Sequence, residues 1–321
     1  MSKLQPVKLQ SPPWTYFGGR VRPSSEAVLH VSTEAVVRGL NVFEGLKGFW
    51  QPDGSFGLVA LERHWARLGR SARLLHLPFD MPYSEFEAAC HDLARHLYKP
   101  ETNLWIRATL YGVEGHWGVG TRTDLVLTGY HCPKGLPTTQ TTGISTWQRA
   151  TDNALPCRIK TSSNYQVARL AKIEGRERGY SEMVLLNASG RVAEAIGSTV
   201  ITVIDGVIVT PPTWESAFPG ITVDILEHLA SDLGMRFVRR PIERTELSIA
   251  EEMAFVGTLN DVTLIAALDG RPFGPPHLLQ RLAERYMAAV TGALPHPAVD
   301  MSCRPYAPVG GAEADQVRRI A

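Results

Sequence analysis

The stretch VITVIDGVIVTPP, residues 200–212, limits most sharply what this chain can fold into. Two β-branched runs flank Asp205-Gly206, and such a pair reads as two antiparallel strands joined by a tight turn. The same logic recurs on either side. EMVLLNASGRVAEAIG (182–197) folds back at Ala188-Ser189-Gly190, and EMAFVGTLNDVTLIAALDGRPF (252–273) turns at Asp269-Gly270. Between them GITVDILEHLASDLG has helical spacing and stops at Gly234. The second half of the chain therefore builds a sheet of short, mostly antiparallel or mixed strands.

The first half is patterned differently. TYFGGRV predicts a hairpin at Gly18-Gly19. NVFEGLKGFW predicts a strand in which Val42, Glu44 and Leu46 alternate with Phe43, Gly45 and Lys47, pairing with FGLVAL across QPDGS. Leu61, Trp65, Leu68, Ala72 and Leu75 mark one helix, and YSEFEAACHDLARHLY a second, with Ser84 as N-cap and Glu87 three residues on. LWIRATLYG and DLVLTGYH are strands. CPKGLPTT (132–139) breaks the pattern with two prolines and a glycine, the best linker in the sequence. The expectation is an α+β chain of two domains: residues 1–133, a linker at 134–140, and residues 141–321. The tail from about Leu294 is poorly patterned and is expected to be loose.

Charge narrows the function classes. Lys+Arg 33 against Asp+Glu 32 gives +1 with no basic block, so neither nucleic acid nor an anionic membrane is expected as partner. No apolar run approaches the ~18 residues of a membrane span, and the N-terminus lacks the apolar core of a secretory signal. Cys90, Cys132, Cys157 and Cys303 are scattered, which fits free thiols in a reducing cytoplasm and no metal site.

Chemistry concentrates in CRIKTSSNYQVARLAKIEG (157–175). Cys157 to Ile159 reads as the end of a strand, Tyr165 onward as a helix with Val167, Leu170 and Ile173, and Lys160 stands at the junction. It is either a solvated loop lysine or a buried amine with lowered pKa, able to attack a carbonyl. Gly220, Ile221 and Thr222 begin a helix, where free N–H groups and the dipole favour an anion such as phosphate. Thr258 follows a glycine at a strand end and offers a second anion contact. Such junctions are commonly only caps. Glu194 sits in an apolar strand and needs a partner: an ordinary salt bridge, or a protonated heterocyclic nitrogen. An amine, a phosphate-binding helix start and an isolated carboxylate together match the needs of pyridoxal phosphate.

These segments, with RGLNVFEGLKGFW, HWARLGRSARLLHLPF, LWIRATLYG, KTSSNY, GVIVTPP and FPGITVDI in order, resemble the fold-type IV pyridoxal-phosphate enzymes, most closely the branched-chain amino acid aminotransferases. The resemblance runs from about residue 14 to residue 290. It implies a smaller N-terminal α/β domain, a larger C-terminal pseudo-barrel domain with the site between them, and a homodimer with active sites near the subunit interface. By the resemblance Lys160 is the Schiff-base lysine, Tyr165 bonds the phenolic oxygen of pyridoxal 5'-phosphate, and Glu194 sits on the pyridine nitrogen. Arg67, Gly220, Ile221, Thr222 and Thr258 hold the phosphate, and Phe218 packs against the ring. Phe43, Arg107, Val119, Thr258 and Leu259 belong to the substrate pocket.

The chain also departs from that family. Arg38 and Trp105 replace two tyrosines, and Thr199 replaces an asparagine. Arg38 is either a surface or interface salt-bridge residue or, with Arg107, half of a carboxylate clamp suited to a glutamate/2-oxoglutarate pair. Trp105 offers a flat apolar wall for a bulky acceptor. The implied activity is ping-pong transfer of an amino group between an amino acid and a 2-keto acid. The alternatives on the same fold are a lyase resembling aminodeoxychorismate lyases and a D-amino acid aminotransferase. Outside catalysis, a pyridoxal-phosphate-binding protein without turnover is the alternative.

Overall fold

The computed structural model describes residues 12–99, 102–132 and 139–306. The N-terminal elements are β1 (Trp14–Phe17), β2 (Arg20–Pro23), α1 (Glu34–Val37), β3 (Asn41–Trp50), β4 (Ser55–Val59), α2 (Leu61–Leu74), α3 (Tyr83–His96), β5 (Asn103–His116) and β6 (Val119–Cys132). They are followed by β7 (Gln140–Gln148), α4 (Tyr165–Glu177), β8 (Glu182–Leu186), β9 (Val192–Ala195), β10 (Thr199–Ile204), β11 (Val207–Thr210), α5 (Ile221–Asp232), β12 (Phe237–Arg239), β13 (Glu252–Gly257), β14 (Asp261–Leu268), β15 (Arg271–Pro272), α6 (Leu278–Val290) and β16 (Met301–Pro305).

Two sheets result. The first runs β16-β4-β3-β5-β6-β1-β2; the second runs β12-β11-β10-β13-β14-β7-β8-β9, with β15 on β14. The hairpin turns form where the sequence puts residues that tolerate positive φ: 50° and 69° at Asp205-Gly206, 47° and 79° at Asp269-Gly270. β7 pairs in parallel with both β14 and β8, and α4 is the crossover from β7 to β8. Lys160 lies in the connection between β7 and α4.

β3 is buried on both faces, and its period of two sorts its side chains. Val42 and Leu46 enter a core with Leu68 of α2, Phe86 and Leu93 of α3, and Ile106 and Leu127 of the sheet. The opposite face points toward the second sheet. A further core joins Phe49 and Val59 of the first sheet to Ile201, Leu226, Leu229 and Leu282 of the second sheet and its helices. The cavity described below opens where these two bodies meet.

Three local expectations need correction. Cys157–Ile159 forms no strand; it is a turn. Ser84 is not the N-cap of α3: the helix begins at Tyr83 after Pro82, and Glu87 instead accepts a hydrogen bond from Ser302 Oγ at 2.6 Å. The tail after Leu294 is not loose throughout, because Met301–Pro305 adds to the first sheet beside β4. His91 of α3 fastens it, bonding Tyr306 OH at 2.6 Å and Ser302 Oγ at 2.7 Å. Residues 134–138 of the expected linker lie outside the described residues; β6 ends at Cys132 in one sheet and β7 starts at Gln140 in the other. Among the described residues no helix is long and apolar enough to cross a membrane.

Candidate active site

The turn before α4 is built to hold one residue still. Asn164 Nδ2 donates to the carbonyls of Pro156 and Ile159 at 3.1 and 2.9 Å, closing the loop. The Lys160 carbonyl accepts the Phe43 N–H at 2.8 Å, and the Lys160 N–H donates to Ser71 Oγ of α2 at 3.2 Å. With its backbone pinned to the first sheet, Lys160 extends its amine into a cavity of about 450 Å³. There Nζ donates to Tyr165 OH at 3.2 Å and stands 4.3 Å from the centre of the Phe218 ring.

One side of this cavity is shaped for an anion. Gly220 caps α5, and the N–H groups of Ile221 and Thr222 begin the helix at the cavity wall, where the first amides of a helix lack internal partners. A Cβ at Gly220 would lie 3.0 Å from Thr199 Oγ1, so the glycine lets the helix start close to that wall. Arg67 completes this side. Its Nε and Nη2 grip the Glu44 carboxylate at 2.8 and 2.7 Å, Nη1 donates to the Pro219 carbonyl at 2.7 Å, and its Cζ lies 4.6 Å from the Phe218 ring centre. Glu44 is fully buried and also bonds His64 Nδ1 at 2.8 Å. Burial pushes its carboxyl up, but Arg67 and His64 outweigh that and hold it at about 2. Thr258 lines the same cavity beside Gly257.

A second side presents a carboxylate. Glu194 is buried, and its Oε2 accepts the Phe218 N–H at 2.8 Å. Its Oε1 lies 2.9 Å from Arg149 Nε, yet that N–H makes no aligned hydrogen bond, so the contact is one of charge rather than direction. Burial raises the Glu194 carboxyl above the usual carboxylate range; Arg149, the Phe218 amide and Lys160 oppose the rise.

The third side carries a cation without a counter-ion. The Arg107 guanidinium lies 3.6 Å from the Phe43 ring centre and donates to Thr109 Oγ1 and Ser162 Oγ, each at 3.3 Å. No carboxylate pairs with it among the described residues, and burial lowers its pKa. A desolvated, unpaired guanidinium is costly until an anion reaches it. Trp105 lies over β3 where Gly45 leaves room, since a Cβ there would sit 3.0 Å from Trp105 Nε1. Leu259 lines the rim, its carbonyl accepting from Lys47 Nζ at 3.1 Å, and Lys47 also pairs with buried Asp261.

The structure thus brings together Lys160, Tyr165, Glu194, Phe218, Arg67, residues 220–222, Thr258, Leu259, Phe43, Trp105 and Arg107 around one cavity. It places Arg38 and Val119 elsewhere. Arg38 bonds Glu34 Oε1 at 2.7 Å and stacks 4.9 Å from the Trp117 ring centre, and Val119 is 77% exposed at the tip of the β5–β6 hairpin. Within one chain, then, Arg38 and Arg107 form no clamp. Sequence reasoning missed Glu44, His64, Arg149 and the Lys47–Asp261 pair. Glu44 carried the same signal as Glu194, a lone carboxylate in an apolar strand; Arg149, in a polar run, carried none.

Among the described residues no group of three or more His, Cys, Asp or Glu side chains could hold a metal ion. The donor set suits an anionic group at the α5 end, a carbonyl at the amine and a basic nitrogen at Glu194. A family model, amino-transferase class IV, matches residues 41–268. The chain is similar to a probable branched-chain-amino-acid aminotransferase of Synechocystis, at 31% identity over 87% of this chain and 92% of that protein. Its fold is similar to the branched-chain aminotransferase of Thermoproteus uzoniensis solved with norvaline, with a TM-score of 0.83, 28% identity, and coverage of 90% and 99%. It is also similar to the branched-chain amino acid aminotransferase of Thermobaculum terrenum solved in its PLP-form, at TM-score 0.82 and 29% identity, covering 88% and 95%. The lysine, anion site and carboxylate converge in a chain matched by that family over most of its length, and the protein belongs to the class IV aminotransferases.

Proposed function

We propose that this aminotransferase moves an amino group from a glutamate-like donor to a 2-keto acid, with pyridoxal phosphate joined to Lys160. The observation that carries the reading is that the Lys160 amine, the α5 N-terminus with Arg67, and the Glu194 carboxylate all line one cavity. When bound, pyridoxal phosphate supplies a carbonyl for the amine and a ring that accepts electrons. The protein does the rest. Arg67, the first amides of α5 and Thr258 bind the phosphate. Glu194 holds a proton on the ring nitrogen. Lys160, its Nζ bonded to Tyr165 OH, would hold the cofactor through its amine, and the same nitrogen is the group placed to take up and return a proton. Phe218 and Phe43 wall off the ring, Arg107 receives the donor's side-chain carboxylate, and Trp105 forms the apolar wall.

The readings of assembly and division belong to the same proposal. Val28, Val31, Val36, Val37, Trp117 and Val119 are more than half exposed on α1, the loop before it and the β5–β6 tip. Such an apolar area supports a homodimer that covers it and sets Arg38 and Val119 near a cavity. Two domains divided at residues 134–140 are supported by the change of sheet there. Free cysteines and the lack of a basic block support a cytoplasmic enzyme without nucleic-acid or membrane partners. The branched-chain relatives support transamination rather than the lyase or D-amino acid readings.

The test is a half-reaction screen of L- and D-amino acids against the holoenzyme, following its visible band. L-Glutamate is expected to convert it stoichiometrically; conversion by D-amino acids alone, or by none, contradicts the reading. Arg107→Met is expected to raise the KM for glutamate about 10- to 100-fold, the loss of a charge-assisted hydrogen bond, with a smaller change for leucine. An unchanged KM for glutamate would remove Arg107 from substrate binding.

A further inference from the structure

Arg149 follows β7, and its position is fixed at both ends of the side chain. Its backbone N–H donates to the Leu186 carbonyl at 2.8 Å, tying it to the end of β8. Its Nη1 donates to the Asn164 carbonyl at 3.3 Å, on the loop whose closure holds Lys160. Its Nε lies 2.9 Å from Glu194 Oε1, and the residue is buried. The guanidinium therefore sits behind the carboxylate and beside the lysine's loop. Around Glu194 the charged and titratable neighbours are Arg149, Lys160 and the Cys157 thiol, with the Phe218 amide on the second oxygen.

We propose that Arg149 is a positioning residue that keeps the buried Glu194 carboxyl ionised and turned into the cavity, so that it can hold a protonated ring nitrogen there. The inference rests on the pyridoxal-phosphate reading above. The physical need is direct. A carboxyl this deeply buried takes up a proton unless a fixed positive charge offsets the lost hydration, and a neutral carboxyl no longer favours a protonated ring nitrogen. Arginine serves because it stays charged in apolar surroundings. Arg149 Nε stands 2.9 Å from Oε1 without an aligned hydrogen bond, so it offers charge without claiming a lone pair of that oxygen.

The experiment compares the parent, Arg149→Met, Arg149→Lys, Glu194→Gln and the double variant Arg149→Met/Glu194→Gln. All are loaded with pyridoxal phosphate. The readouts are cofactor affinity by equilibrium dialysis, the pH dependence of the visible band, and the rate of the glutamate half-reaction. Arg149→Met is expected to slow the half-reaction about 10- to 100-fold and displace the pH midpoint of the band, while cofactor affinity falls only a few-fold because phosphate and lysine still anchor it. Adding it to Glu194→Gln is expected to change neither rate nor midpoint further, and Arg149→Lys is expected to recover part of both. Full additivity in the double variant, or a parent-like rate and midpoint in Arg149→Met, would overturn the proposal. Should Arg149→Met not fold, Arg149→Lys alone and with Glu194→Gln completes the same cycle, its smaller effect expected to vanish in the Glu194→Gln background. A parent protein that takes up no pyridoxal phosphate contradicts the function itself, whereas normal loading with additive effects contradicts only the role of Arg149.

Discussion

Lys160→Ala is expected to lower turnover with glutamate and a 2-keto acid by at least about 10⁴-fold, because on the proposed reading one amine would serve as both covalent anchor and proton carrier. The fold should survive. The contacts that fix this loop come from the Lys160 backbone, to Phe43 N–H and Ser71 Oγ, and from Asn164, and alanine keeps all of them. The side chain itself donates to Tyr165 OH, which faces the cavity and can be rehydrated. Circular dichroism should match the parent, and the visible band of the loaded enzyme should vanish. A variant that keeps turnover within about tenfold of the parent would show that the amine has no covalent part, since such losses exceed what mere crowding or charge would explain.

The largest expected effect on stability falls at Glu44, the lone carboxylate of an apolar strand. Glu44→Gln leaves the buried Arg67 guanidinium with half its bidentate partner and deprives His64 of its acceptor. Removing one member of a buried ion pair costs about 3–5 kcal/mol. The pH dependence has a definite sign. The folded-state carboxyl is held at about 2 against an ordinary 4.5. Its contribution is therefore complete above the unfolded value and is lost as pH falls from there toward about 2. Denaturant midpoints of parent and variant should differ widely at neutral pH and converge in strong acid. Because Arg67 is also released from its grip, affinity for pyridoxal phosphate should fall as well. Equal midpoints at neutral pH would mean that the Glu44–Arg67 pair contributes little net energy.

How far the sequence could be read depended on whether the controlling interaction was local. The turns at Gly18-Gly19, Asp205-Gly206 and Asp269-Gly270 were legible because a left-handed backbone is written in two adjacent residues. The strand β3 was legible by its alternation, and that alternation also explains why Phe43 and Gly45 face the cavity while Glu44 reaches Arg67 on α2. Non-local choices were not legible. Met301–Pro305 becomes a strand only because β4, far earlier in the chain, offers it an edge. Cys157–Ile159 looks like a strand end but finds no ladder, and Asn164 closes it into a turn instead. Ser84 carries a local capping signal that loses to a helix whose N-cap is Pro82, two residues earlier. Arg38 was offered two roles by the sequence, and the fold gives its guanidinium to Glu34 and Trp117. Arg149 shows the limit most clearly: nothing in TWQRATDN distinguishes a solvated arginine from one placed against a buried carboxylate.

The central claim is that the amine of residue 160 carries the cofactor covalently. Borohydride reduction of the holoenzyme, followed by proteolysis and mass spectrometry, tests it most directly. The account predicts a phosphopyridoxyl adduct on the peptide containing Lys160 and on no other lysine. An adduct confined to another lysine, such as buried Lys47, or a fully loaded enzyme that yields no adduct, would contradict it.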